Sequence, residues 1–153
     1  MTIAIIAHDS KKELMLQFCT AYSGLLAKHE VIATGTTGRL ITQNIGLPVH
    51  SYLSGRLGGG EQIAARIACD EVDLMLFFRD PLHAKASEPN DMNILRLCDM
   101  HSVAVATNIA TAEVLLRGLD QGDLDYRSVY HTSVVYLIFR LCTLWVQSHF
   151  LFQ

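Results

Sequence analysis

The chain has 153 residues, 50 % of them hydrophobic and 18 % charged, which fits one domain with a sizeable core and excludes a disordered chain. Twelve basic residues stand against 15 acidic ones, a net charge of −3, so the positive field that nucleic-acid binding requires is missing. The N-terminus enters an apolar run with no basic segment and no small-residue cleavage site, so no signal peptide is read and a reduced, cytoplasmic protein is expected.

In chain order, residues 3–7 (Ile-Ala-Ile-Ile-Ala) form a continuous apolar run, the pattern of a strand buried on both faces. Ser10 is a candidate helix cap, and Leu14, Phe18, Ala21/Tyr22 and Leu25 then recur near a helical period, interrupted only by Gly24. Residues 31–33 read as a second strand, followed by Thr34-Gly35-Thr36-Thr37-Gly38 and a short helix from about Arg39. Residues 48–53 alternate weakly, as an edge or third strand would. Beyond Ser54-Gly55 and the run Gly58-Gly59-Gly60, a helix is predicted over 61–69, and the most apolar strand, 74–78, ends at Asp80-Pro81. A helix over 94–100, a strand over 103–106 and a helix over 111–118 with a glycine stop complete the pattern.

This alternation predicts an α/β fold: a single three-layer, doubly wound domain with a mostly parallel sheet. Ligands of such sheets bind beyond the C-terminal strand ends, where His8-Asp9, the 34–38 segment, Ser54 to Gly60 and Asp80 would meet. Residues 127–153 form an apolar extension of a different style. Within it, Ser133, Tyr136, Arg140, Thr143 and Gln147 fall on one narrow stripe of a helix, which suits packing against the body or a neighbouring subunit better than a membrane span. The β-branched and aromatic content leaves a strand-rich tail open. Cys19, Cys69, Cys98 and Cys142 contain no C-x-x-C pair, so neither a zinc site nor a redox pair is suggested.

Several residues bear on chemistry. Threonine hydroxyls, unhindered backbone N–H groups and a helix N-terminus at 34–38 make a cradle for a phosphate dianion, beyond what capping alone needs. Lys12, one helical turn after His8, supplies a point charge at the same sheet edge, whereas Lys11 reads as a solvated neighbour. His8 and Asp80 each follow a buried strand; either could equally be a strand-end hydrogen-bonding residue or a turn aspartate. The glycines of 55–60 allow close approach of a ligand to the backbone, or make a flexible loop.

Taken in order, His8-Asp9 with Lys12, Thr34-Gly35-Thr36-Thr37-Gly38, Ser54-Gly55 with Gly58-Gly59, Phe77-Phe78-Arg79-Asp80-Pro81-Leu82 and Ala106-Thr107-Asn108 resemble the methylglyoxal synthase family over roughly residues 3–126. The resemblance implies a homohexamer that converts dihydroxyacetone phosphate to methylglyoxal and inorganic phosphate with no cofactor and no metal. It also implies that His8 meets the substrate oxygens and that Asp80 belongs to the acid–base network. Lys12, Thr34, Gly35, Thr36, Thr37, Ser54 and Gly55 would grip the phosphate and substrate. The chain departs from the family in its proton-transfer half: Gly60 stands where the family has an aspartate resembling the catalytic base, Ser87 where it has a substrate-contacting histidine, and Asn90 where it has another aspartate. Arg56 replaces a usual proline. Glu61 and Asp91 each lie one position beyond a lost acid, and one residue turns a helical side chain by about 100°. Glu61 is therefore either a displaced base or an acid favourable to its helix dipole. Two functions follow: a lyase with impaired or altered catalysis, or a non-catalytic sensor or interaction module that binds a phosphate or sugar phosphate.

Overall fold

A computed structural model describes residues 1–82 and 91–125. Among the described residues, five strands form one sheet: β1 (Thr2–Ala7), β2 (Glu30–Ala33), β3 (His50–Ser51), β4 (Leu74–Phe78) and β5 (Ala104–Ala106). Their order is β3-β2-β1-β4-β5 and every pairing is parallel. The helices are α1 (Lys12–Ala21), the one-turn α2 (Ser23–Leu26), α3 (Gly35–Ile45), α4 (Gly59–Ala68), α5 (Asp91–Met100) and α6 (Ile109–Gln121).

Both faces of the sheet are covered. Ile3, Ile5, Leu74 and Leu76 point into one core with Met15 and Phe18 of α1, Ile41 of α3 and Leu116 of α6. Ala4, Ile6, Met75 and Phe77 point into the other with Ile63 and Ile67 of α4 and Ile94 of α5. Continuous apolar strands are what burial on both faces requires. The chain winds outward from β1 through β2 to β3, then returns to the other side of β1 as β4, so the winding reverses between β1 and β4. At such a switch point a doubly wound sheet opens its ligand crevice.

Five local expectations are corrected. Ser10 does not cap α1; the cap position is Lys11, after a 3₁₀ turn over Asp9–Lys11, because Asp80 captures the serine hydroxyl. The helix does not continue to Leu25 but breaks at Tyr22, before the weak helix formers Ser23 and Gly24. The segment 34–38 is not a loop: α3 begins at Gly35, and α4 begins at Gly59 rather than Glu61. Finally, α6 runs through Gly118 and stops at Gly122, whose φ of 85° suits glycine alone and lets Asp123 N–H reach the Gly118 carbonyl at 2.9 Å. Among the described residues no helix is long and apolar enough to cross a membrane. The extension 127–153, with Cys142, and Ser87 and Asn90 lie outside the described residues.

Candidate active site

Because all strands are parallel, His8, Thr34, Tyr52 and Arg79-Asp80 leave the sheet at one edge. His8 and Asp80 flank the switch point and are both buried, at 3 % and 6 % exposure. The His8 N–H donates to the Phe78 carbonyl at 3.0 Å, which carries the β1–β4 pairing past the strand end. The Asp80 backbone N–H donates to His8 Nδ1 at 2.8 Å. With Nδ1 accepting, the neutral ring carries its proton on Nε2 and offers a donor there, a tautomer assigned from the hydrogen bond. The His8 ring also stands edge-on to Phe77, centroids 5.8 Å apart.

The Asp80 carboxylate accepts from Ser10 and Leu82. Ser10 Oγ donates to Oδ2 at 2.6 Å and the Leu82 N–H donates to Oδ1 at 3.1 Å. The main chain of Asp80 thus meets His8 while its side chain ties the β4 exit turn to the β1 exit turn. Ser10 was not legible as a site residue, since its partner lies 70 positions away.

The second part of the edge is the α3 N-terminus against residues 51–59. The first turn of α3 contains Gly35, Thr36, Thr37 and Gly38, and the Thr34 side chain makes no capping bond to it. Thr34 at the cap position pairs its hydroxyl with that of Thr37 at 3.2 Å. Gly35 N–H donates to the Leu53 carbonyl at 2.8 Å, and a Cβ on Gly35 would lie 2.6 Å from the Tyr52 carbonyl and 3.1 Å from Ser54 N. The Ser54 carbonyl accepts from Leu57 N–H and Gly59 N–H, at 2.9 and 3.0 Å. A Cβ on Gly59 would come within 1.8 Å of the Leu53 carbonyl. These glycines serve backbone-to-backbone packing, which brings Gly35 and Ser54-Gly55 together. Gln62, unremarked in the sequence, fixes the same turn by accepting the Leu53 N–H at 2.9 Å.

Lys12 Nζ is in an ion pair with Asp9, one turn back on the same segment. Gly60 is buried in the first turn of α4, and Glu61 beside it is exposed, with Oε2 3.8 Å from where a Cβ on Gly58 would sit. Its carboxylate thus lies over the N-terminus of its own helix, where a negative charge is favourable. Asp91 opens α5. Among the described residues no group of three or more His, Cys, Asp or Glu is arranged to hold a metal.

A parallel sheet covered by helices on both faces, with its winding reversed between β1 and β4, places the chain in the doubly wound α/β class. Residues 14–107 match the model of the MGS-like domain. Methylglyoxal synthase from Caldicellulosiruptor saccharolyticus is 55 % identical over 134 residues, covering 88 % of this chain and 95 % of that protein. The methylglyoxal synthase of Geobacillus thermodenitrificans is 53 % identical, over 86 % of this chain and 91 % of its own. The crystal structure of methylglyoxal synthase from Elizabethkingia anophelis superposes with a TM-score of 0.73 at 39 % identity, covering 75 % of this chain and 76 % of that one. The chain belongs to the methylglyoxal synthase family.

Proposed function

We propose that the chain is a methylglyoxal synthase-type lyase whose proton-transfer step is slowed by Gly60. The observation that carries this reading is the 55 % identity to a methylglyoxal synthase across 88 % of the chain. The substrate is dihydroxyacetone phosphate. A base removes a proton alpha to its carbonyl, the enediolate expels inorganic phosphate, and the resulting enol becomes methylglyoxal. Proton transfer, an oxyanion donor and an oriented leaving group are the three requirements.

In this reading Thr34, Gly35, Thr36, Thr37, Ser54 and Gly55 hold the phosphate with Lys12, supported by the first turn of α3, to which the Thr34 side chain makes no capping bond. His8 donates from Nε2 to the substrate oxygen that gains charge, supported by the Nδ1 bond to Asp80 N–H. Asp80 acts in the acid–base network through its hold on His8. Glu61 is the remaining carboxylate next to Gly60. A misplacement of about 1 Å can reduce the rate 10²-fold, so turnover through Glu61 is slow.

The exposure of Glu61 and the missing side chain at Gly60 favour a second reading, a non-catalytic sensor of inorganic phosphate or a sugar phosphate. Release of methylglyoxal from dihydroxyacetone phosphate, measured for the native chain, Gly60→Asp and Glu61→Gln, separates the two. A slow native enzyme silenced by Glu61→Gln supports the lyase. A silent native chain that binds phosphate calorimetrically, and is awakened by Gly60→Asp, supports the sensor. A homohexamer built from the 1–126 domain, with 127–153 as a contact extension, belongs to the same proposal and is tested by the mass in solution.

A further inference from the structure

We propose that Ser10 is a positioning residue that fixes the tautomer of His8 by way of Asp80. Three hydrogen bonds close a ring across the switch point. Ser10 Oγ donates to Asp80 Oδ2 at 2.6 Å, Asp80 N–H donates to His8 Nδ1 at 2.8 Å, and Lys11 N–H returns to the His8 carbonyl at 2.9 Å. The first is a hydroxyl on a carboxylate, the short, charge-assisted kind that outweighs a neutral bond.

A backbone N–H aims at an imidazole nitrogen only while its peptide plane is fixed. The plane before Asp80 lies in the turn that leaves β4, beyond the last ladder residue, Phe78. The Asp80 side chain holds that turn: one oxygen takes Leu82 N–H within the turn, and the other takes Ser10 from the neighbouring one. Without the serine hydroxyl, the carboxylate keeps its bond to the Leu82 N–H and loses the one that Ser10 supplies from the β1 exit. The Asp80 N–H is then aimed less firmly at Nδ1, and the form with the proton on Nδ1 gains population. The functional consequence, a donor at Nε2, rests on the reading of His8 as substrate-facing; the tautomer itself does not.

The test reads the tautomer directly in the full chain, without substrate. Nitrogen-15 spectra of histidine-labelled protein, with His8 assigned by its loss in His8→Gln, are compared for the native chain, Ser10→Ala and Ser10→Thr. The native chain shows the Nε2–H form alone. Ser10→Ala loses the pure Nε2–H signature and shows a fraction of the Nδ1–H form, because both neutral forms become accessible, and Ser10→Thr removes that fraction. If Ser10→Ala does not fold, Ser10→Cys, isosteric with a weaker donor, gives a partial loss. A native His8 protonated on Nδ1, an unchanged tautomer in the folded Ala or Cys variant, or a Thr variant behaving like Ala overturns the proposal. None of these outcomes depends on whether the chain releases methylglyoxal.

Discussion

Around Leu53 and Ser54 the chain is held main chain against main chain, whereas between β1 and β4 the rim is held by the side chains of His8, Ser10 and Asp80. The first junction depends on side chains that are missing: Gly35 and Gly59 leave room for the Tyr52 and Leu53 carbonyls. The second depends on side chains that are present and buried. Substitution in the first region is therefore expected to be felt by the fold, and substitution in the second, under the proposed function, by the chemistry.

The largest effect is expected at Gly59→Ala. Its Cβ would meet the Leu53 carbonyl at 1.8 Å, so main chain must move, at about 3 kcal/mol or more, the upper end of overpacking penalties. Denaturant unfolding measures it; a loss below about 1 kcal/mol would mean that the junction yields easily. Gly60→Asp, one residue on, is expected to leave the fold in place and to raise methylglyoxal release about 10²-fold, within the usual range of a general base. An unchanged rate would overturn the proposal that the missing carboxylate slows turnover.

A third experiment probes the core beneath the rim. Burial pushes the Cys19 thiol from 9.0 up to about 12. The unfolded chain releases this proton near pH 9 while the folded chain keeps it, so the contribution is complete below pH 9 and lost as pH rises toward 12. The stability lead of the native chain over Cys19→Ala should shrink across that window by about 1.4 kcal/mol per pH unit. A constant lead would mean that the thiol ionises equally in both states. The smallest effect is expected at Gly118→Ala, where a Cβ would sit 3.4 Å from the Asp123 carboxylate and the residue is mid-helix. A gain of about 0.5–1 kcal/mol is the ordinary result of replacing helical glycine, read as a higher melting temperature.

The strands were legible because a strand covered on both faces must be apolar throughout, and 3–7 and 74–78 are. The helix starts were not. Gly35, Gly38, Gly59 and Gly60 look like loop residues, yet all four are helical, and contacts with residues 51–54 show at least three of them to be packing requirements. Gly118 misled in the opposite sense as a stop signal. The common sheet edge of the candidate residues His8, Thr34 and Asp80 was legible from their position after strands, a rule of local order plus topology. The Ser10–Asp80 bond joins two turns that only the sheet order brings together, and no spacing in the chain announces it.

The sheet tapers: β3 has two residues and β5 three, against six in β1. A foreign strand seeking to extend the layer at the β3 end finds a very short row of main-chain donors and acceptors, and Pro48 just before it contributes no N–H. The most apolar strands sit in the middle, so the stretches most prone to cross-β stacking are shielded on both sides by neighbours too short to propagate it.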